Sequence, residues 1–187
     1  MKSKDPQKEK EKEKEKEKEK EKEKEKLNLA ECANRNYKEG IIKGLQKGLD
    51  VNQRNLGYGR TALFNSCFRN YAQIATLLLQ QENIQVNLDD RDNWTPFLVA
   101  SANEQNDCVL LLLKDARTDI NKPNRFGITP LMYASKEASS KTVKLILSFG
   151  RNVDFEARTT TDFDVGTSWG VPIGSHAVDI ASVRNIL

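Results

Sequence analysis

The sequence predicts an all-α fold, a solenoid of stacked helix-turn-helix units joined by hairpin-like loops. Three observations carry this prediction. The segments GRTALFNSCFRNYAQIATLLL, NWTPFLVASANEQNDCVLLLL and GITPLMYASKEASSKTVKLIL align without a gap. Their threonines, Thr61, Thr95 and Thr129, recur every 34 residues. Each unit closes on an apolar triplet: Leu77-Leu78-Leu79, Leu111-Leu112-Leu113 and Leu145-Ile146-Leu147. Self-similarity at a period of about 20–50 residues marks a repeat architecture.

Each element of the unit has a physical reason. A threonine before Pro96 or Pro130 reads as a helix N-cap followed by proline at the first helical position, where the missing N–H costs nothing. A large apolar residue follows (Leu63, Phe97, Leu131). Three positions later a small one (Ser66, Ala100, Ala134) lets the inner helix approach its neighbour. The triplet buries the outer helix. A β-branched residue with Asn or Asp comes next, as Val86-Asn87, Ile120-Asn121 and Val153-Asp154. No unit can bury its apolar face alone, so the units must stack.

The pattern resembles the ankyrin repeat, whose unit of about 33 residues holds a turn and two antiparallel helices. Weaker copies extend it at both ends. CANRNYKEGIIKGLQKGLDVNQRN reads as a degenerate first repeat, with Cys32 at the small position, Leu45 in the outer helix and Val51-Asn52 after it. GSHAVDIASVRNIL reads as an incomplete last repeat, with His176 as a surrogate N-cap and Ala181 at the small position. The expected repeats are therefore about 28–55, 56–90, 91–124, 125–156 and a partial 157–187 with an enlarged loop. Phe64, Leu98 and Met132 stand where the family carries the histidine that links neighbouring turns, so some inter-turn hydrogen bonds are expected to be lost. The glycine that ends the outer helix is present as Gly48 and Gly150 but is Glu82 and Ala116 in the middle units. From His176, the last unit is expected to supply an inner helix over about residues 177–185 and no outer helix. That would leave an open end, together with Val143 and Ile146 of the adjoining outer helix. Truncation of a longer chain is the favoured explanation. A cap formed by the loop carrying Phe163, Val165 and Trp169, or cover by a second chain, are the alternatives; otherwise a monomer is expected.

Ahead of the repeats, residues 1–26 hold 12 Lys against 9 Glu and Asp5, with Lys and Glu alternating strictly from Lys8 to Lys26. Alternation places opposite charges at i,i+3 but like charges at i,i+4, so helix-stabilising and helix-destabilising pairs offset each other. No apolar stripe exists to dock such a helix. The tail is expected to be a disordered, well-mixed polyampholyte that the fold does not need. The rest of the chain carries 18 basic and 17 acidic residues, so positive charge is nowhere concentrated as a nucleic-acid or membrane partner requires. No stretch is long and apolar enough for a membrane span or a signal peptide. Three dispersed cysteines, odd in number, favour a reducing intracellular compartment, cytoplasmic or nuclear.

Catalytic chemistry finds no foothold. His176 is the single histidine, and Cys32, Cys67 and Cys108 lie inside helical units, where each reads as a small buried hydrophobe. No pair has metal-ligand spacing and no phosphate-binding glycine loop is present, so no cofactor or metal is implied. The chain therefore reads as a non-catalytic protein-binding module. The resemblance implies a concave binding face, made by hairpin tips and the ends of inner helices. By repeat position these are Tyr58 and Arg60; Arg91, Asp92 and Trp94; Arg125, Phe126 and Ile128. The inner-helix ends add Phe68 and Arg69, Ala102 and Asn103, Lys136 and Glu137. Aromatic residues and arginine dominate interface energetics. Trp94 and Phe126 are expected to matter for capture and not for folding. The alternative is binding to nucleic acid or an anionic surface through Arg60, Arg69, Arg91 and Arg125 with the Lys-bearing tail.

Overall fold

The computed structural model describes residues 28–136 and 140–160. The Lys-Glu tail, Glu137, the Phe163–Trp169 loop, His176 and the expected 177–185 helix lie outside the described residues. Within them are eight helices: α1 Leu29–Asn34, α2 Lys38–Gln46, α3 Ala62–Phe68, α4 Ala72–Leu79, α5 Pro96–Ala102, α6 Asn106–Lys114, α7 Pro130–Lys136 and α8 Ser140–Ser148. They pair as four units, and the described residues form no strand. The inner helices α1, α3, α5 and α7 stack in one row, and α4, α6 and α8 stack behind them. The all-α solenoid expected from the sequence is the observed architecture.

Local chemistry sets each boundary. The hydroxyls of Thr61, Thr95 and Thr129 accept from the N–H groups of Phe64, Leu98 and Met132 at 3.1, 3.1 and 3.3 Å. Asn28 does the same for Glu31 at the start of α1, so the degenerate unit keeps a cap with a different residue. Inner helices end in left-handed residues: Asn36, Asn70 and Glu104, with φ of 54°, 57° and 54°. The next N–H, from Tyr37, Tyr71 or Gln105, closes back onto the carbonyl of Cys32, Ser66 or Ala100. This is the Schellman closure, and asparagine tolerates its left-handed position better than other side chains. Gly48 and Gly150 fill the corresponding place after the outer helices, while Glu82 and Ala116 are not left-handed.

The small and middle positions carry the core. Ser66, Ala100 and Ala134 are fully buried between inner helices, and Leu78, Leu112 and Ile146, the centres of the triplets, are sealed beneath the outer ones. Val143 and Ile146 are buried within the stack, whereas Leu147 and Phe149 beside them stay exposed. All three cysteines are free and buried. Burial, reinforced by the adjacent Cys108 thiol, pushes the Cys67 thiol well above its ordinary range.

The missing histidines do not leave the units unlinked. Phe64, Leu98 and Met132 are buried apolar residues, and asparagines after the β-branched residues form the polar links instead. Asn52 donates to Asn83 O and accepts from Gln85 N, both at 2.8 Å. Asn87 clasps Arg117 O and Asp119 N at 2.7 Å each. Asn121 clasps Asn152 O at 2.8 Å and Asp154 N at 3.0 Å. A primary amide carries both donor and acceptor, so one side chain satisfies two backbone groups of the next unit.

Candidate functional site

Three hairpins stand side by side, and each is built around one side-chain oxygen. Asn55 Oδ1 accepts from the N–H groups of Tyr58 and Arg60. Asp90 Oδ1 accepts from those of Asp92 and Trp94, and Asn124 Oδ1 from those of Phe126 and Ile128. One backbone bond closes each hairpin, from Asn55 to Arg60 O, Asp90 to Trp94 O and Asn124 to Ile128 O. Gly59, Asn93 and Gly127 supply the left-handed residue of each turn. Gly127 has a second constraint, because a Cβ there would lie 2.7 Å from Arg158 O.

Neighbouring tips are joined through the backbone. Arg91 N donates to Tyr58 O, Arg125 N to Asp92 O and Thr160 N to Phe126 O. The tips therefore form one continuous edge. A partner would meet a surface whose ordering cost was met on folding.

The structure separates the residues expected there. Arg60, Trp94 and Ile128 occupy one equivalent position, immediately before the capping threonine, and all three turn toward the stack. Ile128 is only 1% exposed and belongs to the core, which removes it from the accessible surface. Trp94 is half-buried, with its ring centroid 4.7 Å from that of Tyr133; it braces the second and third hairpin units. Arg60 is half-buried beneath Tyr58 and faces Asp90 Oδ2 at 3.4 Å. Lys136 is 8% exposed and offers little surface. Asn103 is exposed at the end of α5, its amide donating to Val99 O at 2.8 Å; Ala102 beside it is half-buried.

The outward set is Tyr58, Arg69, Arg91 and Arg125, with the partly covered Phe68, Asp92 and Phe126. Tyr58 is 64% exposed. Arg125 bonds Asp92 at 2.6 Å with its guanidinium 4.6 Å from the Phe126 centroid. Arg91 donates to Leu56 O at 2.9 Å. Sequence reasoning missed Leu56, which is 95% exposed at the first tip. That hairpin is one residue longer than the others: Asn55 precedes Thr61 by six residues, while Asp90 and Asn124 precede their threonines by five. The extra residue was the available signal.

Behind the tips Asp89 lies between two cations, with Lys122 Nζ at 2.9 Å and Arg54 Nη2 at 3.4 Å. Burial alone would raise its carboxyl, but Lys122, and then Arg54, outweigh this and hold it below the ordinary range. A depressed carboxylate stabilises the fold fully above its unfolded value of about 3.9 and loses that contribution as pH falls through the folded value. Asp89→Asn is thus expected to cost at most about 1 kcal/mol at neutral pH, as for a partly exposed pair. The difference from wild type in urea midpoint should start to narrow as pH falls below about 3.9 and close only once pH has passed below the depressed folded value.

Among the described residues no His, Cys, Asp and Glu group is placed to hold a metal, and no helix is long and apolar enough to cross a membrane. No curated protein matches the sequence. The family model for ankyrin repeats in three copies matches residues 29–124, and the single ankyrin-repeat model matches residues 126–159. Ankyrin repeats are generally protein–protein interaction modules and typically non-catalytic. With matches over these four helix pairs, the chain belongs to the ankyrin-repeat family.

Proposed function

We propose that this chain is a non-catalytic module that captures another protein on the face formed by its hairpin tips and inner-helix ends, the concave face of such arrays. The carrying observation is the backbone-linked row of tips, which holds the exposed Leu56 and Tyr58 of the first tip in one row with the Arg125–Phe126 stack of the third. Exposed apolar and aromatic anchors on a rigid edge fit the chemistry of interface hot spots. Three free, buried cysteines fit a reducing compartment.

Affinity capture with the full-length chain, compared with a Leu56→Ser, Tyr58→Ser double variant, tests this reading. The variant should lose at least about tenfold of partner binding, as for a hot-spot pair, with helical content and unfolding midpoint unchanged. Unaltered capture, or capture that falls only in step with stability, would remove the tips from the interface. Arg54, Arg91 and Arg125 are already held through their terminal nitrogens by groups of their own chain, which weighs against a phosphate-binding surface along the tips. Affinity that collapses with added salt would reverse that judgement.

A further inference from the structure

Two arginines share one ring at the end of α3. The guanidinium carbon of Arg60 lies 5.5 Å from the Phe68 centroid and that of Arg69 lies 5.8 Å from it. Arg60 is further enclosed by Tyr58 at 4.7 Å and Phe64 at 4.8 Å. Each is anchored through Nε alone: Arg60 toward Asp90 Oδ2 at 3.4 Å, Arg69 to Asn34 Oδ1 at 2.9 Å. Among the described residues, the terminal nitrogens of both make no hydrogen bond.

That pattern sets them apart from the other arginines of this face. Arg54 uses Nη1 on Gly59 O and Nη2 on Asp89. Arg91 uses Nη2 on Leu56 O, and Arg125 uses Nη1 on Asp92. Nor is the pair neutralised. Asp90 is buried, and its other oxygen already accepts from Asp92 N and Trp94 N. Arg60 therefore faces one already engaged carboxylate, and Arg69 faces only a neutral amide. A planar guanidinium fixed by aromatic rings, with its Nη1–Nη2 edge open, is prepared for bidentate contact with a carboxylate. It has little side-chain freedom left to lose on binding.

We propose that Arg60 and Arg69 form the anchor for an acidic segment of the partner protein. A carboxylate takes the open edge of Arg60, Arg69 adds a second positive charge on the same ring, and apolar neighbours of the acid lie against Tyr58 and Phe68. This deepens the protein-binding reading and rests on it.

The probe is the peptide acetyl-Glu-Leu-Glu-Leu-amide, titrated into full-length protein carrying labelled arginine and followed by NMR of the guanidinium groups. The Gln-for-Glu peptide and inorganic phosphate run in parallel. Saturable shifts at Arg60 and Arg69 with the Glu peptide, absent with the Gln peptide, are expected. Arg60→Lys should weaken binding about tenfold, because a lysine keeps the charge but loses the fork, while Arg117→Lys, at an arginine held by Asp115 and Leu79 O away from the tips, should leave it unchanged. Equal response to the Gln peptide, or equal loss in Arg117→Lys, overturns the proposal. Tighter binding of phosphate than of the Glu peptide overturns it in favour of a phosphorylated ligand. If Arg60→Lys alters the circular dichroism spectrum, Arg69→Lys and the wild-type titrations decide. A partner that is lost on changing Leu56 and Tyr58 but bound unchanged by Arg60→Lys ends this proposal and leaves the protein-binding module standing.

Discussion

Leu112→Ala is expected to lower the unfolding free energy by about 2–5 kcal/mol, the range for truncating a buried leucine. Leu112 is the centre of its triplet and has no solvent exposure. Its helix, α6, meets α5 in its own unit and α4 and α8 in the units on either side. A cavity there loosens three contacts at once. Units in such arrays are held only by their neighbours, so the same change should also reduce cooperativity between the two halves. Urea unfolding followed by circular dichroism measures both, as a shifted midpoint and a broadened transition. A loss below about 1 kcal/mol, as at an ordinary surface position, would place Leu112 outside the core. Leu111→Ala is the control, because that side chain is only half-buried.

Asp90→Ala is the second large change, with an expected cost of roughly 2–4 kcal/mol. The residue is buried, its Oδ1 organises the second hairpin, and its Oδ2 faces Arg60. Alanine would leave two backbone N–H groups without their acceptor and a half-buried guanidinium without its counter-charge. Asn55 and Asn124 do the same work in the flanking hairpins as neutral amides. Asp90→Asn should therefore keep the turn and recover most of the stability, losing only the charge beside Arg60. Thermal unfolding of both variants checks this. Equal losses in the two would show that the charge, and not the turn oxygen, is what the hairpin requires.

The helices were legible because their signals are local. A threonine cap, and the proline that follows Thr95 and Thr129, act within a few positions of themselves, and the 34-residue spacing repeats the cap. Exposure at the tips was less legible because it depends on the next unit. Trp94 looks like a free aromatic until Tyr133, thirty-nine positions away, is set beside it. Ile128 shows the same limit. It shares its register with Arg60 and Trp94, and the hairpin bond from Asn124 turns that register inward. The asparagine clasps were visible as Val-Asn and Ile-Asn pairs, but their reach into the following unit appears only once the units are stacked.

Those clasps also give the array a direction of growth. Asn52, Asn87 and Asn121 each reach forward, toward higher residue numbers, so units cannot be exchanged back to front without losing the links. At the fourth repeat the same place holds Asp154, after Val153. A carboxylate has no N–H to offer a carbonyl, and this one turns back on its own loop, accepting from Glu156 N at 2.9 Å and Ala157 N at 3.1 Å. In the language of polymers, the clasp series propagates through three steps and meets a chain terminator. Whatever stacks beyond the fourth unit must be held by something other than this amide.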